Sequence, residues 1–334
     1  MQARMLTTAP LFNSPAIDVS IIIVNWNSAD YVRSCLHSVY RETTEVVFEV
    51  IVVDNASYDG CSEMLNQAFP QVKFIQSTEN RGFAAANNIG FRQASGRFVL
   101  FLNPDTVVLG QAIRTMLHHM QYLDDAGAVG CRLINTDGSL QTSSILPFPT
   151  ILNHALNYEP LRLLFPRFPL WGIRPLFEHA DSQFAVQAVS GACIMVRRDV
   201  FEEIGMFSTD YFMYSEDIDL CQKIRMAGYK VYFVRTASII HHGGGSSRQG
   251  KENQLSAVMM KESTMIYLRK FRGRPYALLY KLVIGMTASL RITALTLLSL
   301  LADKNAGHDP LRKWIAILRW SLGRTAKERQ RPVS

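Results

Sequence analysis

Continuous apolar runs alternate with amphipathic stretches along the first third of the chain. The runs cover residues 19–24, 50–53 and 98–102, and each one stops at short polar residues. A short apolar run that ends at a turn signal is typical of a strand buried on both faces, as in a parallel sheet. Between the runs, apolar residues recur at helical spacing, as over residues 31–39. The pattern predicts βαβ units with right-handed crossovers and a mostly parallel central sheet.

The pattern changes after residue 125. Residues 128–134 predict a strand, and Asp-Gly at 137–138 is a hairpin cue. Residues 147–175 contain six prolines without clear periodicity, which predicts an irregular excursion that serves as a lid or an acceptor-side wall. Strand character resumes over residues 184–196, and Ser215 is a candidate N-cap for a helix that ends at Gly228.

Three of the predicted strands are followed by polar side chains. Asn25 and Asp54 end the first two, and Asn103-Pro104-Asp105 follows the strand over residues 98–102. Because parallel strands share one carboxyl edge, these side chains should line one crevice. A carboxylate such as Asp105 can hold a divalent cation there, and the cation can hold a diphosphate. The alternative is an Asx-Pro turn with a solvated aspartate.

Charge divides the 334-residue chain unevenly. The formal net charge is +7, yet residues 261–334 hold 15 Lys+Arg against 4 Asp+Glu, or +11, which leaves −4 (20 minus 24) for the remainder. Five widely spaced cysteines form no disulfide or zinc pattern and fit a reducing cytosolic setting. We expect a flexible arm (residues 1–17), one α/β domain (18–250) with a nucleotide-binding half (18–125) and an acceptor half (126–250), and a helical C-terminal region (251–334).

The C-terminal region combines apolar and basic character. Residues 282–302 are strongly apolar but are interrupted by Arg291, so the unbroken runs are shorter than a spanning helix needs. Basic residues flank the stretch on both sides, which is typical of a helix lying on an anionic membrane surface. The alternatives are a subdomain packed on the catalytic domain or on a second subunit, and a true span. We expect a cytoplasmic protein, peripheral at the inner membrane face.

Seven motifs in order resemble those of the family 2 inverting glycosyltransferases, and more narrowly their bacterial rhamnosyltransferase-like branch. They extend over about two-thirds of the chain and read VSIIIVNWN, VVDNAS, ENRGFAAANN, LNPDT, VSGACIMVRR, FMYSEDIDLC and HHGGGSS. The resemblance implies a GT-A type fold that binds a nucleoside diphosphate sugar. It also implies a role in cell-wall polysaccharide or O-antigen synthesis.

The resemblance implies a divalent metal, Mn²⁺ or Mg²⁺. Its ligands would be Asp105, the one carboxylate left of an Asp-x-Asp motif, and His241, although the adjacent His242 remains open. Asn103 would contact the ribose or the sugar. Imidazole and carboxylate together suit Mn²⁺ at least as well as Mg²⁺.

The resemblance also implies a general base and two substrate subsites. The base would be Asp217, supported by Glu216 and Asp219, because the attacking hydroxyl must lose a proton, and Glu216 would also bind substrate. Asp54 would hydrogen-bond the pyrimidine base. The remaining substrate-binding candidates are Asn25, Asn80, Gly82 and Asn87 on the nucleoside side and Ser190, Gly191 and Ala192 on the acceptor side.

We therefore expect a metal-dependent transferase that uses a dTDP- or UDP-sugar, with dTDP-L-rhamnose a candidate, and a lipid-linked or surface glycan as acceptor. A homo-oligomer is possible, and no nucleic acid is expected as a partner. One alternative is a nucleotidyltransferase on a similar sheet, but Asn25-Trp26-Asn27 replaces the phosphate-gripping loop that it needs. A second is a catalytically silent protein that binds a membrane surface or nucleic acid. The C-terminal region lacks the interleaved aromatics that favour RNA binding.

Overall fold

The computed structural model describes residues 17–156, 165, 168–171, 173, 176, 182–243, 250–301 and 309–323. Three predicted features lie wholly or partly outside these residues. They are nearly all of the N-terminal arm, much of the proline-rich excursion, and the glycine-serine part of the loop after His242.

The chain alternates strands and helices up to residue 134. These elements are β1 (Val19–Asn25), α1 (Ala29–Glu42), β2 (Phe48–Asp54), α2 (Cys61–Ala68), β3 (Lys73–Gln76), α3 (Gly82–Phe91), β4 (Phe98–Leu102), β5 (Thr106–Leu109), α4 (Ala112–Tyr122) and β6 (Ala126–Ile134). The remaining ones are β7 (Ile145–Leu146), α5 (Ile151–Ala155), β8 (Gln183–Val186), β9 (Ala188–Val189), β10 (Cys193–Arg197), α6 (Arg198–Glu203), α7 (Glu216–Met226), β11 (Lys230–His241), α8 (Gly250–Arg272), α9 (Arg274–Leu301) and α10 (Asp309–Ser321).

Nine strands form one sheet in the order β3-β2-β1-β4-β10-β6-β11-β5, with β8 paired to β11. Strands β1 to β4 are mutually parallel, and β11 runs parallel to β6. The predicted α/β fold with its parallel central strands is therefore confirmed. Three strands pair antiparallel to their neighbours, β5 at the end of the nucleotide-binding half and β8 and β10 in the acceptor half. The strand character predicted over residues 184–196 is confirmed as three strands, β8, β9 and β10, of which β9 pairs with β7 in a separate small sheet.

The central strands are covered on both faces. Ile21 and Ile23 of β1 pack in the cluster formed with α1, α2 and α4, whereas Ile22 packs with α3, α6 and α7. All three side chains are fully buried, and each stabilises the fold by about 1.5–3 kcal/mol relative to exposure. This two-sided burial explains why the strands read as unbroken apolar runs. The five cysteines are buried and free, in accordance with the sequence.

The C-terminal helices α8, α9 and α10 form a third cluster of their own, centred on Tyr267, Tyr280, Ile284 and Trp320. The sequence predicts that the apolar runs on either side of Arg291 are each too short to span a membrane. This expectation needs correction, because α9 continues through Arg291 as one helix. Its stretch Arg274–Ser299 has a mean hydropathy of 1.6 and is long and apolar enough, by length and composition, to cross a membrane.

Candidate active site

One large cavity opens at the carboxyl edge of the central strands, with a volume of about 970 Å³. Its wall carries Asp105 and His241 on one side and Asp217 on another, although 112 residues separate the two aspartates along the chain. The register of the sheet accounts for the position of the edge, because Asn25 lies opposite Asp54 and Ile23 lies opposite Leu102. The strand ends therefore meet at one edge as predicted, but of the three polar side chains Asp105 lines the cavity, whereas Asn25 and Asp54 are buried behind it.

Asp105 and His241 form a corner of the cavity. Strand β5, which the sequence did not predict, pairs with the end of β11 so that Thr106 lies opposite His241. This pairing brings Nε2 of His241 to 3.5 Å from Oδ1 of Asp105, and both side chains are largely buried. Burial alone would raise the pKa of Asp105, but the hydrogen bond and the charge of His241 hold it below its ordinary value.

Gln141 fixes the ring of His241. Its Nε2 donates to the backbone oxygen of His241 over 2.6 Å, which leaves Oε1 to accept from Nδ1 of the imidazole over 2.9 Å. With Nδ1–H donating to Gln141, Nε2 is the ring atom that faces Asp105; once Nε2 gives up the proton of its hydrogen bond to Asp105, its lone pair faces the same carboxylate, and a carboxylate and a neutral imidazole are ligands that Mn²⁺ and Mg²⁺ accept. The pair therefore fits a divalent cation as two of its ligands. Among the described residues, no group of three or more His, Cys, Asp or Glu side chains could hold a metal alone.

His242, the alternative that the sequence left open, is directed elsewhere. Its backbone N–H donates to the backbone oxygen of Asp105, but its Nδ1 lies 3.3 Å from the hydroxyl of Thr136. Its ring packs against Tyr31 with centroids 5.6 Å apart. The geometry favours His241 over His242 as a metal ligand.

Asp217 lies in the first turn of α7 and is held by two backbone donors. The N–H of Gly191 donates to Oδ2 over 2.9 Å, and the N–H of Ile218 donates to Oδ1 over 2.8 Å. Burial raises the pKa of Asp217, and the two donors act in the opposite direction. The result is an oriented carboxylate on the cavity wall that takes up a proton more readily than a solvated aspartate does.

Glu216 is the neighbour of Asp217 on the same wall. It is buried, and its Oε2 is without a hydrogen-bond partner in the described part of the chain. Burial, and after it the charge of Asp217, raises the pKa of Glu216. A glutamic acid held neutral in this way can donate a hydrogen bond into the cavity.

The sequence suggested that Asp219 supports Asp217, but in the structure Asp219 has other partners. Its carboxylate is fully buried and accepts from the hydroxyls of Ser208 and Tyr211 and from Nζ of Lys270 over 2.6 to 3.0 Å. Lys270 belongs to α8, so Asp219 fastens the C-terminal helices to α7. Ser208 completes the network, because its hydroxyl donates to Asp219 and accepts from Nζ of Lys270.

The turn before α7 is left-handed. Tyr214 and Ser215 have φ of +70° and +67°, and Ser215, although at the N-cap position, makes no capping hydrogen bond. Left-handed non-glycine residues cost about 1–2 kcal/mol each and persist only where their surroundings hold them. The hydroxyl of Ser263 on α8 donates to the backbone oxygen of Met213, and the N–H of Phe83 on α3 donates to that of Phe212. Two helices thus hold this turn.

Asn55, Asn80 and Gly82 line the nucleotide-half side of the cavity. Nδ2 of Asn55 donates to Oδ1 of Asn80 over 2.8 Å, and its Oδ1 accepts from the N–H of Arg81. Gly82 has φ of +79°, and a Cβ there would lie 2.2 Å from the backbone oxygen of Phe212. Only glycine fits this close approach. Asn55 was not among the predicted site residues, although it follows Asp54 at the same strand end.

Three predicted substrate-binding residues lie behind the wall rather than on it. Asn25 is fully buried and donates from Nδ2 to Asp54, Ser57 and Asp59 over 2.9–3.2 Å. Asp54 accepts from the N–H and the hydroxyl of Ser57, so both residues shape the loop next to Asn55. Asn87 donates to the backbone oxygen of Phe83 within α3.

Ser190, Gly191 and Ala192 form part of the wall, as does Asn103. The N–H of Asn103 donates to the backbone oxygen of Ala192 over 2.9 Å, and Nδ2 of Asn103 lies 3.5 Å from Nε2 of His241. Since Gly191 binds Asp217, this segment joins the Asp105–His241 corner to the second carboxylate.

This fold, with its cavity at the carboxyl edge of parallel strands and a carboxylate beside an imidazole, is that of a GT-A type glycosyltransferase. The sequence model described as "Glycosyl transferase family 2" matches residues 20–205, and a second, "Glycosyl transferase family group 2", matches residues 176–302. The chain belongs to glycosyl transferase family 2 and is a glycosyltransferase.

Two rhamnosyltransferases are similar in sequence to this chain over most of their own length. An N-acetylglucosaminyl-diphospho-decaprenol L-rhamnosyltransferase of Mycobacterium tuberculosis is 28% identical over 260 residues, which cover 74% of this chain and 83% of that protein. The rhamnosyltransferase WbbL of Escherichia coli is 26% identical over 237 residues, which cover 69% of this chain and 85% of that protein. The resemblance to rhamnosyltransferases is thus confirmed.

Solved structures show the same fold at low identity. The mannosyltransferase PcManGT from Pyrobaculum calidifontis, in complex with GDP-Man and Mn²⁺, has a TM-score of 0.53 at 18% identity, covering 96% of this chain and 90% of that one. GalNAc-T7 with UDP, GalNAc and Mn²⁺ has a TM-score of 0.58 at 15% identity, covering 93% of this chain but only 57% of that one.

Proposed function

We propose that this chain is an inverting glycosyltransferase that moves a sugar from a pyrimidine nucleoside diphosphate to a hydroxyl of a lipid-linked or surface glycan. The observation that carries the proposal is Asp217, a partly buried and oriented carboxylate on the wall of the same cavity as Asp105. The names of the two similar rhamnosyltransferases support L-rhamnose as the sugar and a lipid-linked diphosphate sugar as the acceptor.

In the proposed reaction, an acceptor oxygen attacks the anomeric carbon as the bond from that carbon to the diphosphate breaks. The configuration inverts, and the hydroxyl proton moves to the carboxylate of Asp217, whose raised pKa suits it to receive one. Gly191 keeps the carboxylate in place through its N–H. Asn55, Asn80 and Gly82 would hold the nucleoside side of the donor, with Asn25 and Asp54 shaping the loop behind them.

Asp105 and His241 would hold a divalent cation, which when bound offsets the negative charge of the leaving diphosphate. Mn²⁺ suits the imidazole as well as the carboxylate, and Mg²⁺ remains the alternative. Gln141 contributes by keeping the lone pair of Nε2 directed toward the cavity.

We also propose that α9 lies on the cytoplasmic face of the inner membrane. Its outward stripe of large apolar side chains is more than half exposed and consists of Leu278, Leu282, Met286, Leu290 and Leu298. Its opposite side packs Tyr280, Ile284 and Ala288 into the cluster with α8 and α10. An apolar stripe bordered by basic residues matches an anionic bilayer surface.

The function is tested by a donor screen and by the stereochemistry of the product. We expect a dTDP- or UDP-sugar, together with Mn²⁺, to raise the unfolding temperature, because a ligand of the folded state must stabilise it. Proton NMR of the product should show the anomeric configuration opposite to that of the donor. Retention of configuration, or protection by GDP-mannose alone, would overturn the proposal.

Sedimentation with lipid vesicles tests the placement of α9. We expect the chain to sediment with anionic vesicles but not with neutral ones, and concentration-dependent dimers without vesicle binding would contradict the proposal.

A further inference from the structure

Helix α8 contributes a cation to the cavity that holds Asp217. Its residues Met260, Lys261 and Thr264 form part of the wall. The helix is fixed there because the hydroxyl of Ser263 donates over 2.7 Å to the backbone oxygen of Met213, four residues before Asp217. Lys261 therefore shares the wall with the proposed base.

Lys261 is partly buried, and among the described residues no carboxylate is paired with it. The charges that act on it are positive and come from Arg291 of α9 and Lys313 of α10. Burial and these two cations lower the pKa of Lys261 to about 8. One cation from each of the other two C-terminal helices thus acts on Lys261. A cluster of like charges in a partly dry place is costly unless an anion completes it.

His154 adds a second polar group without a partner. It lines the same cavity, and its Nδ1 is buried with no hydrogen-bond partner among the described residues. Burial, and after it the charge of Lys261, lowers the pKa of His154 to about 3. The imidazole is therefore neutral at ordinary pH and can donate one hydrogen bond from a ring N–H.

The donor diphosphate does not account for this cluster. The negative charge of the donor diphosphate would be offset by the cation held at Asp105 and His241, in the corner formed by β5 and β11. Lys261 belongs instead to the C-terminal helices. The exposed apolar stripe of α9 belongs to the same group of helices. Arg291 is also on α9, and its guanidinium lies 4.2 Å from the ring centroid of Trp314 on α10. A lipid whose tail is in the bilayer would bring its head group to this side of the cavity.

We propose that Lys261 and His154, within the positive field of Arg291 and Lys313, form a site for the diphosphate of a lipid-linked acceptor. The site would orient the acceptor so that its sugar hydroxyl reaches Asp217. This inference rests on the proposed function, because it names the acceptor class for that same cavity. An anionic phospholipid head group is the competing occupant.

The test measures how much lipid raises the unfolding temperature of the full chain in detergent micelles. One set of micelles contains a polyprenyl diphosphate, and the other contains phosphatidylglycerol at equal total charge. The variants are Lys261→Met, Lys261→Arg and the control Lys281→Met, which removes a lysine that stacks on Trp320 in the same helical unit. We expect the diphosphate lipid to stabilise wild type, Lys261→Arg and Lys281→Met, and Lys261→Met to bind it at least about tenfold more weakly. Without ligand, Lys261→Met should unfold at the same or a higher temperature, because it removes an unpaired, partly buried charge.

Two outcomes overturn the inference. One is equal binding of the diphosphate lipid by wild type and Lys261→Met, including the absence of binding by both. The other is Lys261-dependent stabilisation by phosphatidylglycerol that equals the stabilisation by the diphosphate lipid. Transfer by the wild-type chain to a neutral alkyl glycoside separates this inference from the proposed function, because a wild-type chain that lacks this activity would contradict the proposed function itself, whereas the lipid-binding comparison tests Lys261 alone.

Discussion

The backbone N–H of Gly191 donates a 2.9 Å hydrogen bond to Oδ2 of Asp217, which is 26 residues further along the chain. Gly191 also leaves room for that carboxylate, because a Cβ on Gly191 would lie 3.2 Å from Cβ of Asp217. The position of the proposed base is therefore set by the segment before β10 as well as by its own helix. This segment is also hydrogen-bonded to Asn103, so the two acidic groups of the cavity share one support.

Gly82→Ala should destabilise the chain more than Gly60→Ala does. Both glycines have φ near +80°, but a Cβ at position 60 meets nothing within 4 Å, whereas one at position 82 would lie 2.2 Å from the backbone oxygen of Phe212. We expect a loss of about 1 kcal/mol for Gly60→Ala from backbone strain and a clearly larger loss for Gly82→Ala. Urea unfolding measures both. Equal losses would mean that the contact with Phe212 has no role.

As the pH is lowered, kcat/KM should begin to fall at a pH above the pKa range of an ordinary aspartate. Asp217 must be ionised to accept a proton, and burial raises its pKa, so activity falls as the pH drops through that raised value. Glu216→Gln should leave the acid limb in place, because burial, and after it the charge of ionised Asp217, raises the pKa of Glu216 and keeps it protonated there. A pH–rate profile of both proteins is the measurement. An acid limb near pH 4 in wild type, or one that moves with Glu216→Gln, would contradict the assignment.

His241→Ala should weaken metal binding, and His242→Ala should not. Nε2 of His241 faces Asp105, whereas the ring of His242 contacts Thr136 and Tyr31. Loss of an outer-sphere partner already costs about 10–100-fold in metal affinity, so we expect at least a tenfold rise in the Mn²⁺ concentration that gives half-maximal activity. Chelation with EDTA should abolish activity in wild type. Metal titration of the two variants gives the test, and a larger effect of His242→Ala would reverse the assignment.

Asp219→Asn should lower stability without changing the protonation behaviour of the reaction. The carboxylate of Asp219 is fully buried and pairs with Lys270, which is about one-third exposed. Removing one member of such a pair costs about 3 kcal/mol, at the lower end for buried pairs because Lys270 reaches solvent. The control is Asp199→Asn, since Asp199 pairs with Arg197 at the surface and its loss should cost less than about 1 kcal/mol. Thermal unfolding compares the two, and similar losses would refute a buried tether between α7 and α8.

Much of the fold follows from the sequence because two-sided burial leaves unbroken apolar runs. The central strands β1, β2 and β4 and their polar ends could be identified in this way. Strand β5 could not, since Thr106–Leu109 follows a proline turn and pairs only with a distant segment of β11. The course of α9 through Arg291 was also missed, because a single charge on one side of a packed helix does not break it.

The site was less predictable than the fold. Motif resemblance led to Asp105, Asp217 and His241, but the residues that orient them have no local signal. Gln141 follows a hairpin without any motif, and its role appears only when β11 brings His241 beside it. Lys261 reads in sequence as one more basic residue of the C-terminal region. Its position on the cavity wall depends on how α8 packs against the turn before α7.

The most direct test of the account is sugar transfer by Asp217→Asn, with the exposed Asp210→Asn as matched control. Both variants should fold and be stabilised by the donor with Mn²⁺. Loss of a general base should slow transfer by Asp217→Asn by at least about 10²-fold, whereas Asp210→Asn should transfer at the wild-type rate. A folded Asp217→Asn protein that transfers sugar to the correct acceptor at the wild-type rate would contradict the central claim.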